Sequence, residues 1–364
     1  MQMKTIAIDC RKINDGGIGT YLSNMLKCWS NTKTDLRFVL FCHPKDRGSL
    51  EFIKDRATIL DHDYSKYSVR ELFSFRKPLI EYKADLFFSP HYTLPFNLPC
   101  KSIVVIHDLI HLKLPVKGGI IGRTYARKMI KHAGKNADNV ITVSEYSKND
   151  LAEYFPDYSS KYKVIENGVD HDIFKPLPED IISQFKKEKS LPEKFILYVG
   201  ALKPHKNPKA LLTISSALEA DLVVCSNDKE AYKRLAQSAV SIKNRLSLVN
   251  TNSHEELAML YNAADMFFFP SLYEGFGLPP LEAMACGTPV ACSNIASLPE
   301  VVGDSAVTFT PNNQSEMINA AKSVWDDNER QMTLIAGGLK QAGKFSWGKS
   351  ADRLYDLFME VIGG

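Results

Sequence analysis

The chain has 364 residues, more than one hydrophobic core ordinarily holds, so two domains are expected. Its 45% hydrophobic and 24% charged content excludes a disordered or fibrous chain, and no run of about 18 apolar residues marks a membrane-spanning helix. A net charge of +3 names no partner, and seven scattered cysteines without a CxxC pair indicate reduced core thiols in a cytoplasm rather than a disulfide framework or a zinc site.

The first apolar run, Thr5–Asp9, is too short for the core of a signal peptide and reads as a buried strand. Gly16, Gly17 and Gly19 follow it. A glycine-rich turn entering a helix offers backbone N–H groups to a phosphate, although a plain tight turn has the same composition. Further strand-like runs are Arg37–Cys42, Leu86–Ser89, Ser102–His107, Asn139–Val143 and Lys163–Ile165. Asp61, His62 and Asp63 form an Asp-x-Asp triplet in a polar stretch, which reads as a solvated turn and not as a metal site. His107 closes its strand, a position that histidines usually hold for structural reasons. Residues 117–135 carry Lys117, Arg123, Arg127, Lys128, Lys131 and Lys135 with no acidic residue. Arg123, Arg127, Lys131 and Lys135 recur every fourth residue and share one helical face. That face suits an anionic membrane surface or a lipid diphosphate, and equally suits water.

Turn residues and prolines between Asn167 and Pro178 divide the chain into domains 1–172 and 173–344, with 345–364 reading as an amphipathic C-terminal helix. A second strand series follows: Phe195–Val199, Asp221–Cys225, Leu246–Val249, Met266–Pro270 and Pro289–Ala291. Apolar strands alternating with helices predict an α/β protein with two Rossmann-like, doubly wound parallel sheets. Such sheets bind ligands at the carboxyl ends of their strands. The segment Gly200–Asn207, with Lys203, His205 and Lys206, occupies such a position, and so does Val249–His254. The most informative run is Ser271–Val290. Glu274 follows an apolar strand; Gly275 and Gly277 allow close backbone approach; Pro279 and Pro280 suit a helix start that puts Glu282 on the helix. A helix N-terminus for an anion and two carboxylates for hydroxyl groups together describe a receptor for a sugar nucleotide. Two glutamates alone would ordinarily be solvated.

The whole run Ser271–Val290, with Glu274, seven residues, then Glu282, closely resembles the signature of the retaining glycosyltransferases of family four, which have the GT-B fold. Asp9–Tyr21, Ser89–Pro95 and Val105–His111 resemble the subgroup of bacterial O-antigen mannosyltransferases. The resemblance implies two Rossmann-like domains facing across a cleft, with the C-terminal helix crossing back to the first. It implies transfer of a hexose, with mannose from GDP-mannose as the leading donor and UDP-glucose or UDP-N-acetylglucosamine as alternatives, to a glycan or lipid-linked acceptor, without metal or resident cofactor. A catalytically silent sugar-nucleotide-binding subunit remains the reading from another class. By the same resemblance His107 lies near the transferred sugar, Lys206 neutralises the leaving diphosphate, and Glu274 contacts sugar hydroxyls. Glu282 accepts from the ribose, the N–H groups of Phe276, Gly277 and Leu278 meet phosphate or sugar, and Gly17 approaches the diphosphate. The family's arginine near Lys206 is missing: Ala201 and His205 stand at its two usual positions, and Lys203 or His205 would have to substitute. The implied location is cytoplasmic, peripheral on the inner face of the membrane.

Overall fold

Runs such as Ile6–Ile8 and Phe87–Phe88 have no polar alternation, so strands built from them must be covered on both faces, the arrangement of a parallel sheet between helices. The computed structural model describes residues 3–31, 36–64, 70–114, 119–239, 242 and 245–363. It divides into two compact units, Met1–Gly168 with Trp347–Gly364, and Val169–Ser346.

The first unit contains β1 (Lys4–Asp9), β2 (Leu36–Cys42), β3 (Ala57–Asp61), β4 (Leu86–Ser89), β5 (Lys101–Ile106), β6 (Asn139–Thr142) and β7 (Tyr162–Val164). They form a parallel sheet in the order β3-β2-β1-β4-β5-β6-β7. β1 and β2 pair from Lys4 opposite Leu36 to Asp9 opposite Phe41, which sets their carboxyl ends level. The second unit contains β8 (Phe195–Val199), β9 (Asp221–Cys225), β10 (Leu246–Val249), β11 (Met266–Phe269), β12 (Val290–Ser293) and β13 (Val307–Phe309). Its sheet is also parallel, in the order β10-β9-β8-β11-β12-β13. Each sheet therefore reverses its direction of winding once, between β1 and β4 and between β8 and β11. Side chains at those two points are free to diverge into a crevice at the strand ends.

The unit boundaries fall at 168/169 and 346/347, against 172/173 and 344/345 expected from the turn residues. Val169 already bridges Ser346 in parallel, and the His171 ring lies 3.0 Å from the Phe345 carbonyl, so both stretches join the second unit. The C-terminal helix, Trp347–Gly363, packs in the first unit: Trp29 Nε1 donates to the Ala351 carbonyl at 3.3 Å, and the Phe358 ring meets those of Trp29 and Phe88. Leu354 and Phe358 are fully buried there, worth about 1.5–3 kcal/mol each relative to exposure.

Two strands escape sequence reading. β3 has one short apolar run between charges, and β13 has three residues. With β3 in place, the Asp61–Asp63 turn is not simply solvated. His62 is buried and stacked 4.2 Å from the Phe75 ring, because the loop turns inward at the end of an edge strand. Burial and the nearby Arg11 push its imidazole down to about 4. Asp61 pairs with Arg47 and Asp63 with His43.

Candidate functional site

The loops after β8 and β11 stand side by side where the second sheet reverses. After β8 the chain makes one 3-10 turn, Pro204–Lys206, and Asn207 adopts a left-handed conformation (φ +52°) before the helix Pro208–Leu218. The Leu272 N–H donates to the His205 carbonyl at 2.7 Å and locks the two loops together. Across that lock, Lys206 Nζ donates to Glu274 Oε1 at 2.5 Å, and the Ser271 hydroxyl donates to the same oxygen at 2.5 Å. The pair is largely covered, with side-chain exposures of 19% and 12%. A half-covered pair of this kind keeps more of its Coulomb energy than a surface bridge but carries a desolvation cost.

The turn bearing Glu274 is fixed from behind. The Ser297 hydroxyl lies 2.7 Å from the Phe276 carbonyl and 3.1 Å from that of Glu274. The Phe276 side chain packs edge-on against Phe345 and is buried, so its N–H, not its ring, is what it can offer a ligand. Gly277 has φ +115°, and a Cβ there would lie 2.7 Å from Leu298 Cδ2. Glycine is therefore required by conformation, while the Leu298 methyl group would have to shift for any side chain there. The helix Leu278–Ala285 starts at this point, with Pro279 and Pro280 in its first turn. The N–H groups of Phe276, Gly277 and Leu278 donate to no described residue, the state of a helix start that can receive an anion.

Glu282 projects from that helix, half-buried, and accepts from the Tyr261 hydroxyl at 2.9 Å. Burial pushes its carboxyl up to about 7, and the Tyr261 hydrogen bond offsets only part of that. Tyr261 is held in turn by Thr288, whose hydroxyl donates to its carbonyl at 2.7 Å.

Beside these groups a cavity of about 610 Å³ opens at the carboxyl ends of β8, β9 and β10. Gly200 and Ala201 form part of its wall, so the chain runs from the cavity into the Lys206 turn. Gly200 has φ +142°, and a Cβ would lie 3.3 Å from the Tyr198 hydroxyl, which itself donates to the Ala201 carbonyl. Of the segment Val249–His254, Thr251 reaches the cavity. Lys203 is exposed and His205 is half-buried in the same turn, while Lys206 makes the ion pair with Glu274.

In the first unit, His107 follows β5 and its Nε2 lies 3.0 Å from the Pro90 carbonyl. That carbonyl can only accept, so Nε2 carries the proton and Nδ1 keeps its lone pair. Burial holds the imidazole below its ordinary range, against the smaller pull of Pro90 and Asp108, so the ring is neutral at pH 7. Tyr21 meets it edge-on at 5.2 Å and the Ser147 hydroxyl donates to its carbonyl. Gly17 is exposed in the first turn of the helix Gly16–Asn31, and a Cβ there would meet nothing within 4 Å. Gly19 is different: a Cβ would lie 2.3 Å from the Ile13 carbonyl oxygen. The loop below is pinned by Arg11, which donates to both oxygens of Asp9 (2.8 and 2.6 Å) and to Glu71 (2.8 Å).

The structure thus joins Lys206 to Glu274, places Glu282 on the adjoining helix, and puts His107 and Gly17 at the carboxyl edge of the first sheet. Sequence reading missed Ser271, Tyr261 and Ser297. Ser271 was within reach of the strand-end rule, since it lies two positions beyond β11; Tyr261 and Ser297 have no local signal and act only through folding.

The profile of the Glycosyltransferase Family 4 matches residues 15–173, and that of the Glycosyl transferases group 1 matches residues 180–341. The serotype-specific mannosyltransferase WbdA of Escherichia coli is 32% identical over 280 residues, 73% of this chain but 34% of WbdA. The chain therefore spans about a third of the length of that relative. The O-antigen chain mannosyltransferase B of Escherichia coli is 28% identical over 307 residues, covering 82% of this chain and 79% of the relative. Among solved structures, sucrose-phosphate synthase from Thermosynechococcus elongatus superposes with a TM-score of 0.81 at 20% identity, over 99% of both chains. Anabaena HepE in complex with UDP-glucose superposes with a TM-score of 0.80 at 17% identity, over 98% of this chain and 99% of that one. At such identities these two likenesses speak to fold alone.

Proposed function

This chain belongs to the group 1 glycosyltransferases, and from that premise we propose that it transfers mannose from GDP-mannose to a hydroxyl of a glycan or lipid-linked saccharide in O-antigen-type polysaccharide synthesis, with retention at the anomeric carbon. The observation that carries the reading is the Lys206–Glu274–Ser271 cluster at the point where the second sheet reverses, beside the cavity and Glu282.

In this reading the base enters the cavity and the ribose hydroxyls donate to Glu282. The diphosphate lies along the Lys206 turn and the open N–H groups of Phe276, Gly277 and Leu278. Glu274 receives the sugar hydroxyls. The bond from the anomeric carbon to the phosphate oxygen breaks while the acceptor oxygen bonds the same face of that carbon. The acceptor proton passes to the departing phosphate oxygen, so no protein carboxylate acts as base. Lys206 balances the charge that grows on the diphosphate, and preorganisation does most of the work. His107, neutral, offers Nδ1 as an acceptor for a sugar or acceptor hydroxyl. Without the family's arginine, the exposed Lys203 ammonium is the second cation available in the same turn.

The helix Gly119–Asn136 turns Met129 and Ile130 into the core and leaves Arg123, Arg127, Lys128, Lys131 and Lys135 exposed. Ile120 and Ile121, in the first turn, are 84% exposed each. Residues 117 and 118, with Lys117, lie outside the described residues. Exposed isoleucines beside a basic face support attachment to an anionic membrane from the cytoplasmic side, where a lipid-linked acceptor would reside. Among the described residues no helix is long and apolar enough to cross a membrane.

The test is release of nucleotide diphosphate from GDP-mannose, UDP-glucose and UDP-N-acetylglucosamine with a lipid-linked saccharide acceptor. Turnover with GDP-mannose is expected, falling about 10²–10³-fold in Lys206→Ala, as for loss of one preorganised charge donor. Turnover with uracil nucleotides alone overturns the donor; no turnover with any donor overturns the enzyme.

A further inference from the structure

The cavity at the ends of β8–β10 has apolar walls from Val199, Ala201 and Leu257, suited to the faces of a flat ring. Its polar groups are more selective than its shape. Asp228 lines it, and among the described lining residues it is the one carboxylate. Asp228 is exposed and stands at the N-cap of the helix Lys229–Ser238, where Oδ1 accepts from the Ala231 N–H at 2.9 Å. Its own N–H donates to the Ser226 hydroxyl at 3.3 Å, which orients the residue from the other side. Oδ2 accepts from no described residue, and Oδ1 keeps a second lone pair. Glu256, in the first turn of the neighbouring helix His254–Ala263, is already engaged, with Lys189 and with the Asn252 N–H.

The geometry points to Asp228 as the residue that reads the base of the donor, and to guanine as the base it selects. The inference rests on the nucleotide-sugar reading of this site. An ionised carboxylate can only accept, and its two oxygens match two adjacent donors. Guanine presents such a pair, N1–H beside the 2-amino group. Uracil presents N3–H flanked by two carbonyl oxygens, so any approach sets one acceptor against the carboxylate. Adenine and cytosine each pair one amino donor with a ring-nitrogen acceptor. Asp228 thus attracts guanine and repels the alternatives, and specificity gains from both. Its capping bond to Ala231 holds the carboxylate in place before the ligand arrives, so little ordering is required on binding.

The experiment is calorimetric titration of the full chain and of Asp228→Asn with GDP, UDP and inosine diphosphate, which lacks the 2-amino group. Asparagine caps a helix as well as aspartate, so the fold is retained. Wild type is expected to bind GDP about 10- to 100-fold more tightly than UDP or inosine diphosphate, the range of one bidentate base contact. Asp228→Asn loses most of that margin, binds UDP more tightly than wild type because the repulsion is gone, and no longer separates GDP from inosine diphosphate. GDP affinity within twofold of wild type in Asp228→Asn overturns the assignment, as does equal or preferred binding of UDP by wild type; both leave the transferase reading standing. Failure of wild type to bind any nucleotide removes the transferase reading and this assignment with it.

Discussion

Glu282 shows how one residue's surroundings set its chemistry. A carboxyl raised to about 7 is part protonated at neutral pH, and in the proposed site the ribose hydroxyls donate more strongly to its ionised form. Nucleotide affinity should therefore fall about tenfold per pH unit below 7 and level off above it, with protons released on binding near pH 7. Calorimetry at pH 6, 7 and 8 in buffers of different ionisation enthalpy reads both effects, and Glu282→Gln should flatten them. An affinity independent of pH across that range removes Glu282 from the nucleotide site. Stability follows the same linkage. Between the unfolded value and 7 the folded chain holds the extra proton, so the ligand-free fold loses stability as pH rises through that window. The position of Glu282 was legible in the sequence, from its spacing to Glu274; its protonation was not, because that depends on Tyr261 and on what covers the helix.

At the scale of elements, the glycines after β1 look alike in sequence and differ in the fold. Gly19→Ala forces a methyl group to 2.3 Å from the Ile13 carbonyl oxygen, and backbone cannot step aside as a side chain can. A loss of about 1–3 kcal/mol is expected by denaturant titration. Gly17→Ala meets nothing within 4 Å and should stay within about 1 kcal/mol of wild type. Equal losses at both positions would show that the loop does not pack as described. Composition indicated a turn here; only the close approach of residue 13 to residue 19 decides which glycine is structural and which is open to a ligand. The long, uniformly apolar strands were legible for a related reason, since a strand covered on both faces needs no partner to declare itself. β3 and β13 were hidden because their apolar residues do not stand out from the polar and charged stretches around them, and pairing to a neighbour defines them.

At the scale of the whole molecule, the proposed attachment of the basic helix to an anionic membrane is open to test. The full chain is expected to bind vesicles containing phosphatidylglycerol and not vesicles of phosphatidylcholine, with binding weakened at about 0.5 M salt, where screening is short-ranged. Replacing Ile120 and Ile121 together by serine should remove most of the binding in co-sedimentation while leaving GDP affinity intact. Unaltered binding would leave the two isoleucines without that role. The alternation of strands and helices, the two-unit plan and the candidacy of Lys206, Glu274 and Glu282 as site residues are read from the sequence alone, because local periodicity and motif spacing are properties of neighbours along the chain. Three things needed the tertiary structure: the Lys206–Glu274–Ser271 cluster, the cavity that Asp228 lines, and the surroundings of His62, buried, and of Glu282, half-buried against Tyr261. Each depends on residues distant in sequence meeting at the edge of a sheet, where distance and desolvation set the energies and no local pattern records them.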